Sequence, residues 1–395
     1  MLSAFRYRIY PRPEQEKRLN RSLLLLGNLY NNLKAGAIRR YKEEHKTTSQ
    51  TRFRVLALDT RKHNGELQTI YSQVVQNVAD RIHFAFKSFR AGKTRYPRWK
   101  KPHGYNSLTY PQSGFKLNPE KGLYLSELGY VRIFVHRPLL GKVKRLTIKR
   151  EVDEWYAIFI VERDTSEKRP LEETQIERVR GVDVGLDKFV TLDDSTSTEY
   201  PEFLRQSEEK LKHIQSHFSR KVSGSKRRRQ LGRRLARLHL HVRRQREDFQ
   251  NKLVHRILAE NDVLILEKLN VSRMLRNHAL AKSISDASWS GFGRRAIFKA
   301  ESLGKHVIFV DPWGTTQFCH DCLQSVPKDL ANRKHACPSC GQEIPRDVNS
   351  ALLIRWLGIL RSPPSDGGLS LAEQGPLPSL RELVSPSGEA RSHRI

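Results

Sequence analysis

All four cysteines of this 395-residue chain fall in one short segment, as Cys319-x2-Cys322 and Cys337-x2-Cys340 with 14 residues between the pairs. A secreted disulfide framework spreads its cysteines along the chain. Paired knuckles at this interval instead bring four thiolates to one tetrahedral zinc ion and force the intervening chain into a ribbon. Four sulfur ligands leave no position for water, so one structural Zn2+ is expected on Cys319, Cys322, Cys337 and Cys340, within a ribbon spanning residues 314–344. The competing reading is a redox dithiol pair, and two matched knuckles argue against it.

The rest of the chain must accommodate a formal net charge of +30 and a pI near 10.2. Self-repulsion of that size opposes a compact fold unless a polyanion neutralises it, and nucleic acid is the polyanion expected. No apolar run approaches the roughly 18 residues of a membrane-spanning helix, and Met1 opens no signal-peptide pattern. The expectation is a soluble intracellular protein with no membrane partner. At 37% hydrophobic residues over 395 positions, two or three packed domains are affordable.

The opening stretch SAFRYRIYP alternates Phe5, Tyr7 and Ile9 with Arg6 and Arg8, which is the period of a half-buried strand with a basic outer face. It ends at Pro11 and Pro13. Leu19, Leu23, Leu26, Tyr30, Leu33 and Ala37 then predict a long amphipathic helix from residue 13 to about 44. A second helical region is expected from Arg52 to Ala91, with Tyr71, Val74 and Val75 on one side and Ser72, Gln73, Gln76 and Asn77 as polar neighbours. After the basic, proline-broken KTRYPRWKKP the texture changes to short strands: GLYLSEL, VRIFVH, RLTIKR and EWYAIFIVER. These form an all-β module that the strand at residues 3–10 is expected to complete, which makes the helical block an insertion.

A charged linker, RDTSEKRPLEETQIER, leads into GVDVGLDKFVTLDD, two apolar runs that read as a hairpin opening a new domain. Residues 205–260 are helical in pattern and intensely basic, with Leu231, Leu235, Leu238 and Val242 along one face. VLILE at 263–267 and HVIFVD at 306–311 are short, fully apolar runs of the kind found in buried central strands. From Ser362 the chain is rich in Ser, Pro and Gly, and residues 362–395 are expected to be a disordered tail.

Three acids stand where this pattern gives them chemistry. Asp183 lies mid-strand in GVDVG, Glu267 closes VLILE, and Asp347 follows Pro345 and Arg346 at the start of the helix DVNSALLIRWLGIL. Phosphodiester hydrolysis by two Mg2+ ions needs a few carboxylates as hard oxygen ligands. Taken singly, each has an ordinary alternative: a DxG is often a turn aspartate, Glu267 can simply end a strand, and Asp is a preferred helix N-cap. Their order on a first strand, a later central strand and a late helix is the layout of ribonuclease-H-like nucleases.

With GVDVGLDKFVTL, VLILEKLNVSRM, TTQFCHDC and CPSCGQEIPRDVNSALLI in hand, the chain resembles the TnpB proteins, compact RNA-guided nucleases of bacterial and archaeal insertion sequences related to type V CRISPR effectors. SQVVQNV, TRYPRWK and RQREDFQNK extend the resemblance over nearly the whole chain. It implies a multidomain α/β protein with a β-barrel. The wedge-type β-barrel would comprise residues 1–12 and 103–178, interrupted by a helical recognition insert at 13–102. The RuvC-like, ribonuclease-H-like nuclease domain would span 179–361, with a basic helical insert at 205–260 and the zinc ribbon inserted. It further implies Asp183, Glu267 and Asp347 as a catalytic triad holding two Mg2+ ions, a guide RNA from the transposon end, and a double-stranded DNA target beside a short motif. No small-molecule substrate is implied, and the setting is the prokaryotic cytoplasm, at the nucleoid. Two departures stand out: Pro345, where many relatives carry Asp, and HDCLQSV, a knuckle poorer in glycine.

In this scheme the guide reads sequence and the protein reads backbone, shape and the adjacent motif. Lys226, Arg227, Arg228, Arg229, Arg233, Arg234, Arg237, Arg243 and Arg244 would line a phosphate channel, the alternative being a solvated charged helix. Ser72, Gln73, Gln76 and Asn77 would read base edges, or equally form polar faces of a helix bundle. Rival functions are a nuclease-dead RNA-guided repressor, which would lack a triad acid, and a CRISPR-associated effector with a separate guide array. A self-acting transposase of this broad fold would order its acids Asp, Asp, Glu.

Overall fold

The computed structural model describes residues 1–102, 104–164, 167–168, 170–171, 174–329 and 332–360. The tail expected at 362–395 lies outside the described residues. The chain divides into two compact units, residues 1–164 and 165–395.

The first unit runs β1 (Leu2–Tyr10), α1 (Pro13–Glu44), α2 (Gln50–Lys62), α3 (Gly65–Gln68), α4 (Ser72–Arg90), β2 (Ser107–Tyr110), β3 (Phe115–Asn118), β4 (Gly122–Leu125), β5 (Gly129–Phe134), β6 (Lys142–Glu151) and β7 (Glu154–Glu162). Phe5, Tyr7 and Ile9 are buried and Arg6 and Arg8 face outward, because alternate strand residues point to opposite faces. They share a core with Leu19, Leu26 and Tyr30 of α1, Val74, Val78 and Ile82 of α4, and Phe159 and Val161 of β7. The second helical region is three helices and not one run. Ser49 and Asn64 accept the backbone N–H groups of Arg52 and Leu67, so each starts a new helix as an N-cap.

The seven strands pair antiparallel in the order β2-β6-β7-β1-β5-β4-β3, with β2 and β3 as edges. No pairing among the described residues closes β2 onto β3, so the expected barrel is here an open sheet. One edge is managed by a side chain: Arg81 of α4 donates to the Ser107 carbonyl at 3.0 Å and to Thr109 Oγ1 at 2.6 Å, covering β2.

The second unit runs β8 (Val179–Asp183), β9 (Lys188–Leu192), β10 (Ser197–Glu199), α5 (Phe203–Gln206), α6 (Glu208–Ser219), α7 (Lys226–Glu260), β11 (Val263–Glu267), α8 (Val271–Met274), α9 (Ala281–Ala287), α10 (Trp289–Ser302), β12 (His306–Val310), β13 (Lys334–Ala336), β14 (Glu343–Pro345) and α11 (Arg346–Ile359). Its sheet has the order β10-β9-β8-β11-β12, with β8, β11 and β12 mutually parallel and β9 and β10 antiparallel. VLILE is apolar throughout because it is covered on both faces. Leu264 and Leu266 pack with Leu253, Leu258 and Phe292 of α7 and α10, while Val263 and Ile265 pack with Leu353, Ile354 and Leu357 of α11.

Two glycines let α11 lie directly on this sheet. A Cβ at Gly181 would stand 2.0 Å from the Ala351 carbonyl oxygen, and one at Gly358 would stand 2.3 Å from Ile265 Cδ1.

Candidate functional site

Asp183 and Glu267 are the last residues of β8 and β11, neighbouring parallel strands in which Val182 pairs with Leu266. Asp183 therefore sits at the strand end and not in mid-strand. Both carboxylates emerge at the same edge of the sheet, where side chains leave the covered core. The close contact of α11 at Gly181 fixes the third acid. Asp347 lies one helical turn, about 5.4 Å, before Ala351, and Asp183 lies two strand residues, about 6.6 Å, beyond Gly181. The helix start and the strand end are thus brought level.

The electrostatics reflect this proximity. Burial pushes the Asp183 carboxyl well above the usual range, and the charges of Glu267 and Asp347 push it further, against Arg346 and the Val184 N–H. Burial raises Glu267 to about 7, with Asp311 adding and a hydrogen bond from Thr315 opposing. Acids that raise one another in this way lack sufficient positive charge, which a divalent cation would supply. Their donor set of carboxylate oxygens suits Mg2+. Among the described residues, only the cysteine quartet gathers three or more ligating side chains closely enough to share one ion. A two-ion arrangement does not require more of the acids, since each Mg2+ takes one or two carboxylates and completes its shell with water and phosphate.

Asp347 is not the helix cap. The cap position of α11 is Pro345, which has no side-chain bond to offer, and Asp347 stands in the first turn. Its carboxylate meets the guanidinium of Arg346 at 3.0 Å and Arg333 at 3.7 Å.

The cysteine Sγ atoms all lie within 4.8 Å of one another, with 3.6 Å between Cys319 and Cys340 and 3.5 Å between Cys322 and Cys337. A disulfide would need about 2.05 Å. A zinc tetrahedron with Zn–S bonds of about 2.3 Å has edges of about 3.8 Å, so the quartet fits this ion. The two knuckles share one backbone plan. Cys319 and Cys337 donate their N–H groups to the carbonyls of Gln324 and Gln342, and the residue after each second cysteine is left-handed. That residue is Leu323 at φ 58° in the first knuckle and Gly341 at φ 78° in the second. Leu323 is tolerated in that conformation while its side chain packs against the core beneath α11.

Three residues beyond the sequence-derived set build the site. The buried Thr315 donates its hydroxyl to Glu267 Oε1 and fixes that carboxylate. Fully buried Asn349 accepts the His320 N–H at 3.1 Å and donates to the Phe318 carbonyl at 2.8 Å, clamping the first knuckle to α11. Arg346 donates its backbone N–H to the Arg333 carbonyl at 2.9 Å and its guanidinium to that of Asn332 at 3.2 Å. The first knuckle and the segment leading into β13 thus both hold the helix that carries Asp347. Thr315 stands in TTQFC and Asn349 in RDVNS, but only the fold says that their polar groups face the acids and the knuckle.

The remaining sequence-derived residues divide. Lys226, Arg227, Arg229, Arg233, Arg234, Arg237 and Arg243 are exposed on α7, and Arg244 is half-buried. Arg228 instead folds back, donating to the carbonyls of Phe218 at 3.2 Å and Lys221 at 2.6 Å and stacking on Phe218. Ser72, Gln73, Gln76 and Asn77 are half-buried in the first unit. Gln73 accepts from the Ser113 backbone, and Asn77 accepts from Arg81 at 2.9 Å, so these two have structural duties.

The model of the family described as "Probable transposase" matches residues 159–278, that of the "Cas12f1-like, TNB domain" residues 289–354, and that of a "Helix-turn-helix domain" residues 1–46. Within residues 1–46 the described structure is one strand and one long helix. The protein named "Putative RNA-guided DNA endonuclease" of Streptomyces pristinaespiralis is 28% identical over 371 residues, covering 92% of this chain and 91% of its own length. Over most of its length the chain is similar to the TnpB proteins. A second relative, InsQ of Escherichia coli (strain K12), carries the same description and is 28% identical over 71% of this chain and 73% of its own. A solved structure, the Cas12f1-sgRNA-target DNA complex, aligns over 90% of this chain and 98% of its own with a TM-score of 0.57 at 11% identity, a likeness of fold alone.

Proposed function

We propose that this protein is an RNA-guided endonuclease of the TnpB kind that hydrolyses a phosphodiester of DNA with Mg2+ held by Asp183, Glu267 and Asp347. One observation carries the reading: Asp183 and Glu267 end adjacent parallel strands, and the glycine-seated α11 brings Asp347 level with them, in a chain whose relatives are named as RNA-guided DNA endonucleases. Two bound Mg2+ ions would supply an activated water and charge stabilisation of the leaving oxygen. The chain's own residues prepare the site. Thr315 holds one Glu267 oxygen, Arg346 holds Asp347, and the ribbon fixes the start of α11.

In the finer reading the guide RNA derives from the transposon end and the double-stranded DNA target lies beside a short motif. Residues 1–12 and 103–178 serve as the wedge module, 13–102 as the recognition insert and 179–361 as the nuclease. The exposed cations of α7 serve as phosphate contacts. None of the described helices is long and apolar enough to cross a membrane. The test is to purify the protein with its RNA, sequence that RNA, and challenge the complex with matched DNA carrying a randomised flank. Mg2+-dependent cuts that follow the guide and vanish in Asp183→Ala support the reading. Guide-dependent binding without cuts would favour a repressor instead.

A further inference from the structure

The first unit contains a cavity that the nuclease chemistry does not use. It lies among α1, α2, α4 and the TRYPRWK segment and has a volume of about 360 Å³, within the range of small-ligand sites. Its walls are aromatic, with Phe53, Phe86, Phe89, Tyr41 and Tyr96. Phe53 and Phe86 stack at 6.4 Å, and Tyr96 stands edge-on to Phe86 at 5.9 Å and to Phe89 at 5.1 Å. Tyr41, Phe89 and Tyr96 are nonetheless exposed at 57%, 38% and 45%, so the cluster opens to solvent instead of closing a core.

Two further features specify what enters. Thr48 lines the cavity and is only 8% exposed, yet its buried hydroxyl has no hydrogen-bond partner. Such a group is stabilised by a ligand that brings a donor or acceptor. The lining also includes Lys42 and Arg90 and no acid, and the ammonium of nearly fully buried Lys34 lies 5.1 Å from the Tyr96 ring centroid and 4.0 Å from that of Trp99. The ligand is therefore flat or apolar in body, polar at one edge and anionic at its mouth.

We infer that the cavity receives one unpaired nucleotide of the bound RNA, its base among the aromatic side chains, its edge toward Thr48 and its phosphate toward Lys42 and Arg90. This rests on the RNA-guided reading. RNA is favoured over duplex DNA because folded RNA already offers splayed bases, whereas a paired DNA base must first be unpaired and extruded.

The experiment is ultraviolet crosslinking of the purified protein–RNA complex, with and without matched target DNA, with the adduct peptides located by mass spectrometry. It is paired with titration of guide-free protein with the same RNA. Wild type is expected to crosslink at Tyr41, Phe89 or Tyr96. Tyr41→Ala and Phe89→Ala should each weaken RNA binding about 5- to 100-fold, the range for losing one stacked base. Thr48→Val, which keeps the shape, should weaken it about 3- to 10-fold, while Phe134→Ala, an exposed aromatic elsewhere in the unit, should leave it unchanged. Unchanged affinities and no adduct at the cavity in a complex that still cuts DNA would overturn the cavity assignment alone. Adducts with target DNA only would overturn the choice of RNA. Failure to bind any RNA would sink the guided reading itself.

Discussion

Asp262 and Glu267 bracket one strand, β11, and have opposite fates. At the entry end Asp262 takes Arg178 at 2.6 Å and Lys305 at 3.1 Å, from the segments leading into the two flanking strands, and its carboxyl is held down at about 2, chiefly by the Arg178 bond. At the exit end Glu267 has a threonine hydroxyl and the acids Asp183 and Asp311 near it, and burial lifts it to about 7. The same sheet therefore compensates a buried acid at one end and leaves acids uncompensated at the other, where the proposed function puts a cation. The difference supports the proposed site at the exit end by an argument that uses no motif.

The largest expected effect lies at the exit end. Asp183→Ala should lower the single-turnover cleavage rate by about 10³-fold or more, equivalent to about 4 kcal/mol. Guide and target binding, read by mobility shift, should persist. Since burial and then the charges of Glu267 and Asp347 raise Asp183, the Mg2+-free variant should melt no lower than wild type. A loss of both binding and melting temperature would erase the contrast between the two ends.

Midway along the sheet, Gly181→Ala tests how site and scaffold are joined. The added Cβ meets the Ala351 carbonyl and Arg355 backbone, neither of which can rotate away, so α11 must lift. Overpacking of this kind costs about 1–3 kcal/mol. Because Asp347 rides on the same helix, cleavage per folded molecule should fall as well. A variant that melts early yet cuts at the wild-type rate would separate the helix seat from the position of Asp347.

At the entry end Asp262→Asn should destabilise by about 1–2 kcal/mol, the exposure of Arg178 limiting the gain from the pair, with cleavage per folded molecule unchanged. The pH dependence sharpens the point. A depressed acid stabilises above its unfolded value near 4 and loses that contribution as pH falls toward 2. Glu267 has the opposite sign. In Mg2+-free buffer its proton stabilises the fold below about 4.5, and that contribution is lost as pH rises through 7. Urea midpoints across pH 3–8 for Asp262→Asn and Glu267→Gln should remove opposite limbs of the profile.

How much of this was legible in the sequence depends on how local the signal was. The α1 helix, the VLILE strand and the cysteine spacing were readable because period and interval are properties of contiguous residues. Glu267 at its strand end followed from the same run. Asp347 as a cap was an open reading that Pro345 settles, since the helix begins two residues earlier than a cap at the acid would need. Arg228 looked like its neighbours in a basic run, but it turns back onto carbonyls ten and seven residues upstream, a choice made by the turn before α7. Barrel closure depended on two four-residue strands meeting, and no pattern in either records its partner. Thr315 and Asp262 were silent for the same reason: their partners are 48 and 84 positions away.

The smallest effect concerns the ribbon that holds the exit end in place. The second knuckle turns at Gly341 with φ 78°, and a Cβ there meets nothing within 4 Å, so Gly341→Ala should cost only the backbone penalty of about 1 kcal/mol. The first knuckle makes the same turn with Leu323, where the side chain's packing offsets that penalty. Leu323→Gly would relieve the strain and forfeit the packing, and should therefore change stability less than Leu323→Ala, which forfeits the packing and keeps the strain. Zinc content by atomic emission should stay at one ion per chain in all three variants. Cleavage should fall only where the knuckle, through Asn349, lets the start of α11 move. If Leu323→Ala left both stability and cleavage untouched, the ribbon would be a passenger on the nuclease unit, and the ordering of Asp347 would have to come from Gly181 and Arg346 alone.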